Sequence, residues 1–585
     1  MNINLGVVAL SARGRSLLPA LWQAALEIGE KAYNLDDKIV FTQPGRAVVN
    51  ARSTSRAWDA PTWIEDRTGI LSLSQPPVSY TERVSREDWR SWARDALRAD
   101  AGRNTVQPGY FGIEMRSDGT FHAWNDLFGF GRAYVVENDD FLAVGNHIGM
   151  TSMFANQQLE VDMYGCDVLA QIGFWPEDVS PVTAVRRLGP AEVVSTTIDG
   201  SVRRYRYATD EEFYGFRDSE PSVRAVADSL AVVTANGGEI AMQAPTVYLS
   251  GGQDSRVTAA AWVVGGKPAI IQTTGTLQGE VDIARQLMSS LEAERSLEER
   301  GITHKVTKPN PARLSTYSIE DRLSQAMLMW DGDFAPANLK AALRRPGLQT
   351  RLTVGGANGE VMHGIYYSNE KFLNMVREMP HPIYRVAKAF PGRANTERSR
   401  TSFLEFIERQ ADFARELGQF DATALNVFQM HSKFRRWINA QLSACSFVLL
   451  LNPVYVRNCI DLTPEQRLGK EFQRAISREL IPQWENVPYY KATLEESTAT
   501  MKKHRIRTWD TSEGSMERLL HERTTWQHWF DPSEMSTLEH KVHAGEGTSM
   551  DESTLNKAYV LDGIPDHVAA LELKRHSVWS GWSAT

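Results

Sequence analysis

The sequence predicts an α/β protein in two parts, and three features of the residue pattern support this. Residues 1–210 carry short β-like runs separated by Gly, Asn and Asp together with two helical patterns, which indicates an α+β layered domain. From residue 211 strands and helices alternate, which favours a doubly wound parallel sheet, and from about 370 the pattern is nearly all helical. Because 585 residues exceed one typical core, we assign 1–210 and 211–585 to two domains.

The strand signals of the first part are short runs of β-branched and aromatic residues bounded by turn residues. They cover Lys38 to Thr42, Tyr110 to Arg116, Phe121 to Trp124, Arg132 to Val136, Phe141 to Val144, and Glu192 to Tyr207. Helical spacing covers Leu17 to Ala32 and Arg86 to Arg98. Residues 208–220 are polar and acidic, which predicts a linker.

The second part opens with a helical pattern and then alternates. The predicted helices are Ser222 to Ala235, a helix from Val257, Glu280 to Glu294, and Ile319 to Met329; the predicted strands are Thr246 to Leu249, Pro268 to Thr273, His304 to Val306, and Arg351 to Val354. Ligands of such sheets bind at the carboxyl ends of the strands, where the loop after Leu249 would lie.

Charge and cysteine content exclude several classes of protein. The formal net charge is -8 and the pI about 6.0, so no electrostatic attraction to nucleic acid or an anionic membrane is expected. The three cysteines are widely spaced, which argues against a disulfide framework or a zinc cluster and favours a reducing cytoplasm. The longest apolar stretch, around Phe447 to Leu451, is too short to span a bilayer.

The most informative stretch is Ser250-Gly251-Gly252-Gln253-Asp254-Ser255, which lies between a strand signal and a helix signal. Two adjacent glycines let backbone N–H groups approach an anion, and the helix N-terminus adds partial positive charge. The hydroxyls of Ser250 and Ser255 can donate to phosphate oxygens, and Asp254 suits a divalent metal. The sequence therefore predicts a nucleotide site.

This motif resembles the pyrophosphate-binding loop (PP-loop) of the ATP pyrophosphatase superfamily, whose members cleave ATP between the α and β phosphates. The resemblance implies ATP and Mg²⁺ as cofactors. It assigns ATP binding to Leu249, Ser250, Gly251, Gly252, Asp254, Ser255, Thr274, Gly275 and Gly355. The sequence Gly265-Gly266-Lys267-Pro268 lacks the spacing of a Walker loop and predicts a turn.

Two further stretches resemble the asparagine synthetase branch of that superfamily. Thr273-Thr274-Gly275 resembles the segment whose backbone contacts adenine. The stretch from Leu352 to Gly364 resembles a loop that carries two acids, but Gly356 and Gly359 stand at those positions and Glu360 is the nearest substitute. Metal binding by Asp254 with Glu360, and by Asp254 with ATP alone, both remain open.

Several stretches toward the C-terminus resemble the late helices of the same domain: Arg435-Arg436-Trp437 and the apolar run to Asn452-Pro453, then Pro464, Arg467, Arg474, Ile481-Pro482 and Tyr489-Tyr490-Lys491. The resemblance makes Lys491 a catalytic candidate, together with Glu360, because a lysine can stabilise charge on pyrophosphate and on an acyl-adenylate.

Three other polar residues draw attention in the second part. For His363 we favour a structural role over that of a base. For Asp331 and Asp333 we favour a solvated turn over the orientation of a substrate amine.

The first part resembles the Ntn-type glutaminase domain of asparagine synthetases in three stretches, Gly109 to Ile113, Trp124 to Gly129 and Arg132 to Tyr134. Working glutaminases of that family use a cysteine directly after the initiator methionine, whereas Asn2 stands here. The only cysteine of this part, Cys166, is predicted to be a small buried hydrophobe. We therefore expect a glutaminase-like domain that hydrolyses nothing.

A missing nucleophilic cysteine is shared with β-lactam synthetases and lasso peptide cyclases, which use an amine already on the substrate. The resemblance implies an AMP- and pyrophosphate-forming amide ligase of specialised metabolism, acting on a small-molecule or peptide substrate, with a partner peptidase or recognition protein. An ammonia-dependent asparagine synthetase or other amidotransferase and a non-catalytic nucleotide-binding scaffold remain as alternatives.

Overall fold

The computed structural model of the chain describes residues 2–33, 37–52, 57–292, 297–308, 317–340, 351–437, 445–490, 509 and 514–582. Within these ranges the N-terminal part contains two six-stranded antiparallel sheets, and the later part contains a five-stranded parallel sheet and many helices. The predicted mixed α/β class, with its parallel sheet in the second part, is confirmed at this level.

The two antiparallel sheets are built from twelve strands. These are β1 (Ile3–Ala9), β2 (Asp37–Gln43), β3 (Arg46–Arg52), β4 (Trp63–Asp66), β5 (Gly69–Leu73), β6 (Phe111–Arg116), β7 (Phe121–Asn125), β8 (Tyr134–Glu137), β9 (Phe141–Gly145), β10 (Arg186–Arg187), β11 (Glu192–Thr196) and β12 (Val202–Arg206). The strand orders are β10-β8-β9-β1-β3-β2 and β12-β11-β7-β6-β5-β4, so β10 and β12 are both terminal strands.

An apolar core joins the inner faces of the two sheets. Val48 and Val144 from the first sheet pack with Ile113 and Phe121 from the second, and all four are fully buried. On the other side of the first sheet lies the helix Ala12–Ala32, whose apolar residues share a core with the helix Ser549–Trp582. The end of the chain therefore packs back onto its beginning.

The helices lie in three groups along the chain. The α-helices are Ala12–Ala32, Trp89–Arg98, Asp100–Arg103, Ile148–Ser152 and Met163–Ile172; then Asp210–Tyr214, Val223–Glu239, Gln253–Gly265, Gln278–Glu292 and Ile319–Trp330; then Glu370–Arg377, Tyr384–Ala389, Glu397–Glu416, Thr423–Phe428, Arg435–Trp437, Pro453–Ile460, Pro464–Gly469, Glu471–Leu480, Ser515–Glu517, Pro532–His543 and Ser549–Trp582. A π-helical turn, Gln429–Phe434, precedes Arg435. Among the described helices, none has the length and apolar character needed to cross a membrane.

The parallel sheet has a reversal in its strand order. Its strands are β13 (Thr246–Tyr248), β14 (Ala269–Thr274), β15 (Ile302–Thr307), β16 (Thr353–Val354) and β17 (Ser446–Phe447), in the order β15-β14-β13-β16-β17. The chain moves from β13 through β14 to β15 on one side, and β16 then pairs with the other side of β13. Such a reversal leaves a crevice at the carboxyl ends of the two strands beside it.

Two sequence predictions in the first part differ from the structure. The single run predicted at Glu192 to Tyr207 is a hairpin, β11 and β12, because Gly200 takes a φ of +86° in the turn and Asp199 accepts hydrogen bonds around it. The segment predicted as a linker contains the helix Asp210–Tyr214, and Tyr214 is 1% exposed. The buried ring of Tyr214 therefore fixes this short helix to the core.

The prediction of a solvated turn at Asp331 and Asp333 is wrong, since these side chains are 2% and 1% exposed. Asp331 lies 3.0 Å from His147, in the first part of the chain, and 3.0 Å from His567, in the second. Asp333 lies 3.2 Å from the guanidinium group of Arg436. The turn is an anchor between the two parts of the chain.

Candidate functional site

The glycine loop occupies the four residues between β13 and the helix Gln253–Gly265, and two serine hydroxyls close it. The Ser250 and Ser255 hydroxyl oxygens are 2.9 Å apart, and the backbone N–H of Ser250 donates to Ser255 (3.0 Å). The N–H of Gly252 donates to the Ser250 hydroxyl (3.1 Å). Leu249, 1% exposed, fixes the start of the loop in the core. The loop thus lies at the crevice beside β13.

A tyrosine covers one side of the glycine loop. The backbone N–H of Tyr490 donates to the carbonyl of Gly251 (3.1 Å). A Cβ added to Gly251 would lie 2.4 Å from Tyr490 Cβ, and one added to Gly279 would lie 2.3 Å from the tyrosine ring. Both glycines are therefore required by the close approach of this tyrosine.

The segment that carries Tyr490 is held in place by a buried arginine. Arg256, 0% exposed, donates to the carbonyls of Val487 (2.8 Å) and Pro488 (2.7 Å), and its guanidinium lies 3.7 Å from the ring centroid of Tyr489. The predicted catalytic Lys491 is the next residue after Tyr490 but lies outside the described residues, so its role stays a prediction.

Asp254 lies in the first turn of the helix after the loop, and two other elements contact its carboxylate. His363 Nε2 lies 3.1 Å from Oδ1, and the Gln473 amide donates to the same oxygen. His363 thus contacts Asp254 directly, whether it serves a structural or a chemical role. The Asp254 side chain is 27% exposed and remains accessible to a ligand.

The structure gives a physical reason for the glycines at 356 and 359. A Cβ on Gly356 would lie 2.7 Å from Asp254 Cβ, and a Cβ on Gly359 would lie 2.3 Å from Asp254 Cγ. Real Cβ atoms do not approach other atoms this closely. The second loop packs so tightly on Asp254 that no side chain fits at either position, and an acid is excluded there.

Glu360 is the remaining acid of the second loop. Burial raises the pKa of its carboxyl, the Asp254 carboxylate raises it further, and Lys433 opposes the shift. Its Oε2 is buried and has no hydrogen-bond partner within the described residues. Two neighbouring carboxylates, one with a free oxygen, fit a divalent cation. No group of three or more His, Cys, Asp or Glu able to hold a metal occurs in the described part, so the protein would supply few of the ligands.

Two cavities flank the helix N-terminus and share Gly252, Gln253 and Asp254. One, of about 600 Å³, is lined by Ser250, Ser255, Gly355 and Glu360 among others. The other, of about 470 Å³, is lined by His363, Lys470, Arg474, Tyr489 and Tyr490 among others. The first is acidic and hydroxyl-rich, whereas the second is mainly basic.

Lys470 and Arg474 were not predicted as site residues. They stand four residues apart at the start of the helix Glu471–Leu480, a spacing that places two side chains on one side of a helix. This spacing is shared by many exposed helices, and Arg474 is also one of the residues on which the resemblance to the late asparagine synthetase helices depends.

Thr274 and Gly275 end β14, on the side of β13 away from β16. Neither residue lines the two cavities, and the N–H of Gly275 donates to the carbonyl of Thr307 (2.7 Å). The structure therefore groups Ser250, Asp254, Ser255, Gly355 and Glu360, with Thr274 and Gly275 one strand away.

The N-terminal part carries no thiol near its start. The Asn2 side-chain amide donates to Thr62 Oγ1 (2.6 Å), and the Asn2 backbone carbonyl accepts from the Asn146 side-chain amide (2.7 Å). Cys166 is fully buried, as predicted, and burial raises the pKa of its thiol well above the usual value. A protonated, enclosed thiol is not a nucleophile.

Comparisons with known proteins add little. No family model matches the sequence, and no curated protein is significantly similar to it. Among solved structures, the allosteric regulatory enzyme of purine biosynthesis shares 12% identity over 55% of this chain and 86% of its own, with a TM-score of 0.24. Glutamine phosphoribosylpyrophosphate (PRPP) amidotransferase from B. subtilis, complexed with ADP and GMP, shares 12% identity over 60% of this chain and 90% of its own, also with a TM-score of 0.24. Likeness this weak carries no argument about function.

Proposed function

We propose that this protein is an ATP-dependent amide ligase that adenylates a substrate carboxylate, releases pyrophosphate and condenses the acyl-adenylate with an amine. The observation that supports this most directly is the position of the glycine loop. It lies at the reversal in a parallel sheet, opens a helix, and presents Asp254 between an acidic and a basic cavity.

In this proposal the phosphates of ATP bind the helix N-terminus, the serine hydroxyls and the N–H of Gly251, since the N–H groups of Ser250 and Gly252 donate within the loop. Lys470 and Arg474, in the basic cavity, attract the departing pyrophosphate, and Lys491 stabilises the charge that develops on it. Asp254 and Glu360 would hold Mg²⁺, which when bound neutralises phosphate charge. The substrate carboxylate and amine meet in the acidic cavity, where positioning lowers the barrier.

Glu360 suits a second task in the same cavity. Its pKa is raised by burial and by Asp254, which brings a carboxylate closer to the range where it can accept a proton from an attacking amine. Glu360 would accept this proton where Asp254 and ATP alone hold Mg²⁺, since a carboxylate bound to Mg²⁺ has its pKa lowered instead.

The N-terminal part fits a glutaminase-like domain of the Ntn type without a thiol nucleophile, because its one cysteine, Cys166, is enclosed and burial raises the pKa of its thiol. An amine already present on the substrate would then replace glutamine as nitrogen donor. This is the chemistry of a β-lactam or macrolactam, and a peptide substrate would call for a partner peptidase or recognition protein.

The decisive measurement is substrate-dependent exchange of labelled pyrophosphate into ATP, with pools of amino acids and short peptides as carboxylates. We expect exchange in the wild type and its loss in Asp254→Ala, while the exposed Asp282→Ala on a neighbouring helix keeps it. Circular dichroism of the variants checks their fold. Amide formation that strictly requires ammonium would instead support an amidotransferase, and nucleotide binding without any exchange would support a scaffold.

A further inference from the structure

A larger cavity, of about 1040 Å³, lies outside the glycine-loop site, between the two parts of the chain. One wall is the terminal strand β12 with Arg204, Tyr205 and Arg206; the opposite wall is the helix Glu397–Glu416 with Arg409, Phe413 and Glu416. We call this cavity the edge groove.

The free edge of β12 borders the groove. Successive side chains of a strand point to opposite faces of the sheet, so a cavity over one face would be lined by every second residue. Arg204, Tyr205 and Arg206 all line this cavity, which indicates that it reaches the edge of the strand. The N–H of Tyr207 donates to the carbonyl of Ala191 (3.0 Å). In an antiparallel ladder the backbone groups of alternate residues face the same neighbouring strand, so the N–H and C=O of Tyr205 also face β11. The backbone groups of Arg204 and Arg206 then point away from β11, and no hydrogen bond to them occurs in the described ranges.

The helix wall presents one continuous face. Arg409, Phe413 and Glu416 stand at positions i, i+4 and i+7, which lie on the same side of a helix. The Phe413 ring stacks on His431 with centroids 4.3 Å apart, and this pair adds apolar surface to the groove. A groove bordered by a free strand edge and a helix face is one into which an extended peptide can add a strand.

The charge of the groove selects among peptides. Seven carboxylates and five guanidinium groups line it. The guanidinium groups are already paired, for example Arg206 with Asp210 and Arg186 with Glu192. The Glu416 side chain has no hydrogen bond or ion pair in the part of the chain that the structure describes. The uncompensated charge is negative.

We propose that the edge groove binds an extended peptide segment that adds as a strand to β12 and places a basic side chain near Glu416. Main-chain hydrogen bonds to Arg204 and Arg206 provide affinity, and the acidic wall provides specificity. This goes beyond the ligase chemistry, and binding here requires neither ATP nor an intact glycine loop.

The test uses the full chain and two pools of eight-residue peptides built from Val, Thr, Ile and Tyr, one pool with two lysines and one with two glutamates. Hydrogen exchange of the Arg204 and Arg206 amides should slow on addition of the lysine pool. Affinity for the glutamate pool should be at least about tenfold weaker, and Glu416→Gln should reduce this preference.

A matched pair of variants isolates the backbone contact. Arg204→Pro and Arg204→Ala lose the same side chain, but only proline removes the outward N–H, which is a tolerated change on a terminal strand. Arg204→Pro should weaken lysine-pool binding about tenfold or more, and Arg204→Ala should not. In an added strand only every second peptide N–H points at β12. N-methylation of those amides should weaken binding, and N-methylation of the intervening amides should not.

Three results would overturn the proposal. One is equal binding to the proline and alanine variants; another is equal loss on methylation of either set of amides. The third is unchanged exchange at the Arg204 and Arg206 amides at millimolar lysine pool.

Discussion

Gly359→Ala tests the account of the missing acid most directly. The added Cβ would lie 2.3 Å from Asp254 Cγ and 2.5 Å from its Oδ1, about 1 Å closer than ordinary van der Waals contact, which begins at 3.4 Å. The Asp254 side chain cannot simply move, because the Gln473 amide and His363 hold it. Overpacking of this kind costs about 1–3 kcal/mol, and we expect that loss in the free energy of unfolding.

Urea unfolding followed by tryptophan fluorescence measures this loss. Gly469→Ala is the matched control, because nothing lies within 4 Å of its added Cβ and the same substitution should not destabilise. In an Asp254→Gly background the clash disappears, so the cost of Gly359→Ala should fall below about 0.5 kcal/mol. A Gly359→Ala penalty that is absent, or equal in both backgrounds, would refute the packing argument. Gly359→Asp should likewise destabilise rather than restore a metal ligand.

Three further predictions concern other parts of the chain. Asp333→Asn should lower the free energy of unfolding by about 3–5 kcal/mol, because it leaves the buried guanidinium groups of Arg436 and Arg187 without their carboxylate. Urea unfolding measures this loss, and a value under about 1 kcal/mol would contradict the expectation. Burial lowers the pKa of His431 to about 4, so the folded state favours the neutral ring. As the pH falls from 7 to 5 the unfolded chain gains a proton on this histidine that the folded protein does not, and the free energy of unfolding should fall by about 2 kcal/mol. His431→Phe should therefore show a smaller pH dependence of unfolding over this interval. Lys491→Ala should reduce pyrophosphate exchange roughly 10²–10³-fold whereas Lys502→Ala should not, and equal effects would remove Lys491 from the proposed site.

Local pattern was sufficient for the glycine loop. A β-prone run, two glycines and a helical run are adjacent in the sequence, and they form a strand, a loop and a helix in that order; the helix begins at Gln253, four residues before the predicted start. The contact of Asp254 with Gly359 depends on β16 pairing beside β13, and local periodicity contains no information on strand order. Tyr490 is a similar case, since only the fold brings it to Gly251 and Gly279.

Local sequence indicates the burial of apolar residues better than that of charged ones. Cys166 was correctly predicted as buried because a lone apolar thiol has few alternatives. Asp331 and Asp333 follow a tryptophan and flank a glycine, which locally resembles an exposed turn, yet their partners His147, His567 and Arg436 are far away in sequence. Burial of a charge is decided by such distant partners.

The anchor formed by Asp331 and Asp333 also bears on why the N-terminal part is present at all. Arg132 donates to the carbonyl of Trp330 (3.1 Å), and Arg187 lies 3.8 Å from Asp333, so two buried cations of the first part depend on one turn of the second. A chain cut near residue 210 would retain these cations and lose their counter-charge. We therefore expect each part to be less stable without the other, so the first part contributes to the stability of the chain whether or not it carries a catalytic residue.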